Sequence, residues 1–448
     1  MERYDTIIVG AGLAGLTTAF ELSERGLSVL VVEKEKVIGG RTASWEEKGM
    51  LVESGLHRHI GYYKALPSIL KKVGVNINDI VQWEEKIDIL IHGRQPIILG
   101  LSPVYHPTAM IKGLLGNNHA IEFQDKFSLM PFFVTGFWRY IKNPEALDQY
   151  SVREYAERYN VTENALNYML IPLSTGIFFL PPERYSAKVF FGLFFPAMPY
   201  FYKMRVGAYL GGMTELLANP IARAIEKNGG IIKTSTCVNH LILDHERVCG
   251  VVLEDGKKFE STSVVLATNL GGAKSIIGQH FSNNPAFEHM LKLPTMPAIT
   301  IQMEFSEPVL PYDRTTFGPL TALASFAEQS RSTFTHVPGR LSIILTPPEK
   351  FLDMADEAIC QIIIKEAKKL GMNLASNLTD YRIVKHPEDF HSLSPHHDWM
   401  RPEQVTQING LILAGDYTRQ PFFATMEGAV ISGMRAANLV LGYHDIPV

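Results

Sequence analysis

Residues 7–41 read IIVGAGLAGLTTAFELSERGLSVLVVEKEKVIGGR, and three correctly spaced signals in this stretch set the fold class. Thr6 to Val9 is a short β-branched, apolar run suited to a buried strand. Gly10, Gly12 and Gly15 follow as G-x-G-x-x-G with Leu13 and Ala14 between them, and Leu16 to Arg25 continues with helical spacing. Gly10 permits the strand-to-helix turn, Gly12 lets the backbone approach a pyrophosphate on the helix N-terminus, and Gly15 lets helix and strand pack closely. A second strand, Ser28 to Val32, ends in Glu33 and Lys34. A carboxylate at that distance accepts ribose hydroxyls and repels a 2′-phosphate.

Gly39-Gly40-Arg41-Thr42 follows six residues after Glu33. A second glycine pair with an arginine adds amide donors and a charge for a larger dinucleotide, as is typical of glutathione-reductase-like FAD proteins. The predicted class is therefore α/β: a glutathione-reductase-like Rossmann FAD domain with an inserted α+β substrate domain.

The 448 residues suggest two or three domains, and 46% hydrophobic with 20% charged residues describes an ordered enzyme. A net charge of −4 without a basic cluster argues against a nucleic-acid partner. Cys237, Cys249 and Cys360 are too scattered for a disulfide framework, a zinc site or a redox pair. A reducing, cytoplasmic compartment is expected. No signal-like stretch precedes the first strand and no long purely apolar run occurs, so neither secretion nor a membrane span is expected.

The pattern breaks after about Lys64 and returns at Gly211-Gly212-Met213, before a helical stretch, Thr214 to Lys227, and the strand Ile231 to Ser235. Val238 to Leu243, Val248 to Leu253 and Lys258 to Glu260 read as strands with a hairpin turn at Asp255-Gly256, and Ser263 to Thr268 as a further strand. The backbone near Val238 is expected to meet the adenine edge, with Ala267-Thr268 closing over it. Ala298 to Phe305 and Arg340 to Leu345 read as strands and Asp353 to Leu370 as an amphipathic helix. The expected division is 1–64, 205–292 and 384–448 for the FAD domain, and 65–204 with 293–383 for a substrate and membrane-facing domain.

At the carboxyl end, GLILAGD ends at Asp416 and MEGAVISGM runs from Met426 to Met434. Asp416, after Gly415, stands at a strand end where it can accept from a ribityl hydroxyl or orient a phosphate-bound water. Met426, Glu427, Gly428 and Ala429 begin a helix whose N-terminus favours negative charge on a neighbouring ring system.

The opening, Glu53-Ser-Gly-Leu-His57 and AGDYTRQPFFATMEGAVISG from Ala414 to Gly433 resemble the plant and cyanobacterial type of phytoene desaturase, within the amine-oxidase-like flavoproteins. Gly55, Leu56 and His57 match the family's glycine-leucine-histidine, and Asp416, Tyr417, Thr418 and Gln420 match its AGD-Y-T-x-Q run. The resemblance implies noncovalent FAD, hydride abstraction from an isoprenoid chain, a quinone or oxygen as electron acceptor, and attachment to one membrane leaflet. His59, Tyr62-Tyr63 and Phe422-Phe423 depart from the pattern and leave the substrate open. Related enzymes include carotene desaturases, isomerases and hydroxysqualene dehydroxylase.

About half of the aromatic residues lie between Phe123 and Tyr209. They are expected either to form the core of an α-rich domain or to line an apolar tunnel and reach a bilayer, with Trp138-Arg139, Lys188 and Lys203-Met204-Arg205 as basic flanks. Proton abstraction after hydride loss has His57, His59 and Glu427 as candidate bases. Arg205 is a candidate for the flavin or a polar substrate end. His57 and His59 are expected on one strand face, but a metal reading finds no third ligand. His391, His396 and His397 are expected to face solvent. A flavin amine oxidase is the enzymatic rival, although Pro297 to Phe305 carries no lysine and no cysteine follows Cys360. A catalytically silent FAD protein that binds lipid is the non-enzymatic alternative.

Overall fold

The computed structural model describes residues 2–444, apart from the side chains of Ala197 and Phe201. Its first sheet runs in the order Ile231–Lys233, Val29–Val32, Glu2–Val9, Lys258–Leu266, Arg247–Leu253, Val238–Asp244. The first four strands are parallel, and the last two form the antiparallel hairpin. Lys258–Leu266 is one continuous strand, not the two segments read from the sequence. Its first part pairs with Arg247–Leu253 and its last part with the C-terminal strand Leu411–Leu413. Ser261 and Ser263 stay buried because their hydroxyls find partners, Ser261 on the Ser263 carbonyl at 2.8 Å and Ser263 on Thr6 at 3.0 Å.

The N-terminal helix, Leu13–Ser23, is buried on every side. It lies on this sheet against the C-terminal helix Met426–Tyr443, and small residues set the spacing. A Cβ at Gly433 would stand 2.4 Å from the Ala14 carbonyl oxygen, and one at Gly15 only 2.0 Å from the Gly10 oxygen.

The second sheet runs Leu378–His391, Thr295–Phe305, Gly339–Leu345, Leu323–Glu328, Thr316–Phe317, Lys86–Ile89, Ile97–Gly100. Two expected boundaries move. The division at 384 falls inside the 14-residue strand Leu378–His391, which pairs along its length with Thr295–Phe305, so this sheet continues to His391. At the other end, helix Ala65–Lys72 buries Leu66, Ile69 and Leu70 in the core that holds the N-terminal helix. Strand Val81–Glu84 then pairs with Val206–Tyr209, so the first break falls after about residue 84.

The aromatic-rich segment is part core and part exposed surface. Helix Phe123–Lys142 opens with a capping box between Glu122 and Asp125. One face packs Leu129 and Phe132 against Phe190 and Phe191 of helix Ala187–Phe194. A Cβ at Gly136 would collide with the Phe191 ring at 1.9 Å. The other face carries Phe123, Phe127, Met130, Val134, Trp138 and Ile141, all more than half exposed. Their spacing of three and four places them on one helical stripe. Ile111, Leu114 and Leu115 of helix Pro107–Leu115 are likewise exposed. No helix among the described residues is long and apolar enough to cross a membrane.

Candidate active site

One cavity of about 1640 Å³ runs between the two sheets, larger than the roughly 300–1,000 Å³ that a single small ligand occupies. Its polar end is built where the first sheet's strands finish. Gly10 has a φ of +107°, a conformation that favours glycine, and hands the chain to the N-terminal helix. Gly12, at that helix's N-cap, makes no side-chain cap, and the first turn holds no acid. The amides there are left for an anion. A Cβ at Gly12 would meet nothing within 4 Å, so the space is a cradle and not a packing contact. Glu33 is 7% exposed at the cavity wall. Its carboxylate accepts from the Ala11 amide at 2.7 Å and the Glu35 amide at 3.0 Å, which fixes it at the strand end with lone pairs to spare.

Beside this cradle Arg41 pairs with Asp416, lies 3.9 Å from Asp389, and stacks over the Phe390 ring at 5.0 Å. Burial works against the charge on Asp416, yet Arg41 holds its carboxyl below the usual range. For Asp389 burial prevails over Arg41 and raises the carboxyl. Asp416 Oδ2 is enclosed without a hydrogen-bond partner, an acceptor that suits a hydroxyl or an ordered water. Amide cradle, ribose-end carboxylate, arginine and unpaired Asp416 oxygen together fit a dinucleotide with a pyrophosphate.

Of the residues expected at the cofactor, Gly10, Gly12, Leu13, Ala14, Glu33, Lys34, Gly39, Gly40, Arg41, Thr42, Gly55, Leu56, His57, Val238, Ala267, Thr268, Gly415, Asp416, Met426 and Ala429 line this one cavity. Gly15 and Gly428 do not, because both are packing positions. A Cβ at Gly428 would lie 2.2 Å from the Phe422 carbonyl oxygen.

Three of the four residues considered for catalysis lie elsewhere. Glu427 turns away from the cavity, and its carboxylate accepts from the backbone amides of Lys64, Ala65 and Leu66 at 2.7, 2.7 and 2.9 Å. It caps helix Ala65–Lys72, so it is no base. Burial raises its carboxyl, and the three amides oppose the rise. His59 does not share a face with His57. It is 1% exposed, with Nδ1 at 2.9 Å from the Tyr209 hydroxyl, and burial together with Arg205 lowers its pKa to about 3. Arg205 is clamped between Trp83 and Tyr105, 3.8 and 4.4 Å from their ring centres.

Only His57 stays at the cavity wall. Its Nδ1 lies 3.0 Å from the Gly55 carbonyl oxygen, which accepts and so fixes the proton on Nδ1. Burial lowers its pKa to about 4, so the ring is neutral near pH 7. Among the other histidines, His396 is exposed but His391 is 2% exposed, with neither ring nitrogen hydrogen-bonded. It ends the second sheet's edge strand rather than facing solvent.

The sequence reading missed Ser54, Lys385, His386, Asp389 and Phe390, which line the cavity with Arg58. The alternation of Leu378–His391 was the available signal, obscured by its many charged residues. Beyond His57 the wall becomes apolar, with Ile87, Leu101, Ile177, Leu193, Phe194 and Phe317 among its residues.

A dinucleotide fold joined to an apolar chamber defines a flavin-dependent oxidoreductase, and sequence comparison agrees. The chain belongs to the flavin containing amine oxidoreductase family, whose model matches residues 13–441, and its cofactor is FAD. It is 27% identical to 15-cis-phytoene desaturase of Synechococcus elongatus, over 98% of this chain and 96% of the relative. It is 28% identical to zeta-carotene desaturase of Synechocystis, over 97% of this chain and 96% of the relative. Among solved structures, an oxidoreductase from Methanosarcina mazei superposes with a TM-score of 0.76 at 18% identity, covering 97% of this chain and 99% of that one. A redesigned putrescine oxidase gives 0.72 at 17%, covering 98% and 99%. At these identities the structural likeness speaks for the fold.

Proposed function

We propose that this protein desaturates a long apolar isoprenoid of the phytoene or carotenoid kind. The carrying observation is this cavity, polar at the cradle formed by Gly12 and Arg41 and with Ile87 and Phe194 among its apolar lining. The names of the full-length relatives point the same way. FAD supplies hydride acceptance when bound, and the residues lining the polar end are those proposed to hold it. Noncovalent attachment is supported by the thiols. Cys237 lies at the Glu33 and Val238 end, while Cys249 and Cys360 lie on a strand and a helix away from the cavity.

For the proton that follows the hydride, His57 is the remaining candidate. A carbon next to a developing cation is so acidic that a weak base suffices, and the low pKa keeps the ring unprotonated near pH 7. Electrons are proposed to leave to a quinone or to oxygen. The exposed stripe of Phe123–Lys142 supports docking on one leaflet, with Arg139 and Lys142 at the helix end beside Trp138. The amine-oxidase alternative gains nothing from Lys385. That ammonium donates to the Met354 carbonyl at 2.6 Å and lies 3.4 Å from Asp356.

The test is anaerobic mixing with phytoene while the oxidised-flavin absorbance is followed, with a primary amine as control. Bleaching by the amine alone would overturn the isoprenoid reading. For docking, co-sedimentation with anionic vesicles is expected for the native protein and lost in a Val134→Glu, Trp138→Glu variant that keeps its flavin. Unchanged sedimentation would remove the leaflet assignment.

A further inference from the structure

Arg58 puts a charge on the wall of a cavity that has an apolar end. It follows His57 on the cavity wall, and its side chain is 9% exposed. Nη2 donates to Asp313, whose other carboxylate oxygen accepts from Ser332. Nε is enclosed without a partner. Nη1 makes no hydrogen bond among the described residues, yet it is not among the enclosed unpaired atoms. It is therefore the open corner of the guanidinium.

The chain from Asp313 onward carries Thr315 and Phe317 along the cavity, and Phe317 pairs in register with Ser325 of the neighbouring strand. Ser325 is 6% exposed, and its hydroxyl is likewise uncommitted among the described residues. Arg58 and Ser325 thus line the same cavity as Ile87, Leu101 and Phe317, together with Thr315, whose hydroxyl is enclosed without a partner. A bare hydrocarbon seated here leaves Nη1 desolvated and unpaired. An oxygen in the same place satisfies it.

We propose that Arg58, held in place by Asp313, is a specificity-determining residue that donates to a hydroxyl or carbonyl oxygen carried by the isoprenoid. The preferred substrate is then an oxygenated isoprenoid and not the parent hydrocarbon. This rests on the isoprenoid reading above. An ion pair that only ties residue 58 to Asp313 would need one nitrogen and would leave selectivity untouched. The distinction is therefore functional.

The experiment compares chain-matched pairs delivered in the same detergent micelles: squalene with hydroxysqualene, and phytoene with its 1-hydroxy-1,2-dihydro derivative. Anaerobic flavin reduction and equilibrium binding are both measured. A hydrogen bond to a charged donor contributes about 1.5–3 kcal/mol, roughly 10- to 150-fold in the ratio of alcohol to hydrocarbon. The native protein is expected to show that preference in both readouts, and Arg58→Met to abolish it with the flavin retained. Removing one partner of a buried pair can unfold the site, so the Arg58→Met, Asp313→Asn double variant tests the same ratio with no stranded charge. An unchanged ratio in both variants overturns the proposal. So does a variant that loses FAD or shifts its absorbance while keeping the ratio, because Arg58 would then serve the cofactor. Equal use of alcohol and hydrocarbon by the native protein refutes this inference alone. If none of the four lipids reduces the flavin, the isoprenoid reading falls and takes this one with it.

Discussion

Gly12 and Gly15 stand three residues apart in one motif, and the structure gives them opposite tolerances. Gly12 has an ordinary φ of −74° and empty space where a Cβ would go. Gly12→Ala should therefore fold, and the new methyl should occupy the cradle. Overpacking of a tight contact costs about 1–3 kcal/mol; at about 2 kcal/mol FAD binds some 30-fold more weakly. With FAD at about 100 times the native Kd, ligand binding stabilises the native protein by about 2.7 kcal/mol and the variant by about 0.9 kcal/mol. Gly15→Ala places a Cβ 2.0 Å from the Gly10 oxygen and 3.2 Å from the Ala267 Cβ, so it should destabilise the apoprotein itself. Denaturation of both apoproteins, followed by FAD titration through flavin fluorescence, separates the two effects. Native FAD affinity in Gly12→Ala would refute the cradle. An apoprotein loss in Gly12→Ala equal to that in Gly15→Ala would refute the claim that the space there is open.

Other perturbations report on other links. Glu427→Ala strands three amides at the start of helix Ala65–Lys72 and should cost about 2–4 kcal/mol of unfolding free energy; the surviving enzyme should keep its pH profile of flavin reduction, and a lost limb in that profile would restore Glu427 as a base. Burial raises the Glu53 carboxyl to about 7, so its contribution to stability is full below the usual value of 4.5 and is lost as pH rises to about 7. Glu53→Gln should gain about 3 kcal/mol on the native protein between pH 4.5 and 8, and urea denaturation showing a constant difference would refute this. Within the aromatic run, Phe190 is 0% exposed whereas Phe194 lines the cavity. Phe194→Asp should impair lipid-driven flavin reduction while retaining FAD, and Phe190→Asp should lose the fold, as circular dichroism would show.

The first sheet was legible because its strands are short, apolar and separated by glycine turns, a pattern that depends on near neighbours. Leu378–His391 was not, since it alternates Arg382, Lys385, Glu388 and Asp389 with few apolar residues. It is an edge strand whose partner, Thr295–Phe305, supplies the apolar content. The roles of Glu427 and His59 were not legible for a related reason. Their partners are backbone amides 361–363 residues away and a tyrosine 150 residues away, and nothing local announces them. Aromatic density likewise marked the segment from Phe123 to Tyr209 but could not assign faces. Phe132 and Phe127 sit in the same helix, one 0% and the other 57% exposed.

The placement of Glu427 also bears on how this chain treats charge near the chemistry. The C-terminal helix turns Thr425, Met426 and Ala429 of its N-terminal turn to the cavity, with Thr425 accepting from the Gly428 amide at 3.0 Å. An acid in a first turn ordinarily offsets the helix dipole, and here it would face a ring that gains negative charge on reduction. Glu427 instead spends its carboxylate on a second helix, whose first amides it saturates, and it stands outside the cavity wall. The opposite sign is managed in the same way, since Arg41 is bound to Asp416 and Asp389 and remains by the cradle. Near them the wall carries a neutral imidazole, His57. A site that removes a hydride and then a proton from a hydrocarbon chain needs a lone pair there more than a charge, because a fixed anion or cation would be desolvated by the chain itself. Arg58 is the exception in that stretch of wall, and an exception of this kind calls for an oxygen to meet it.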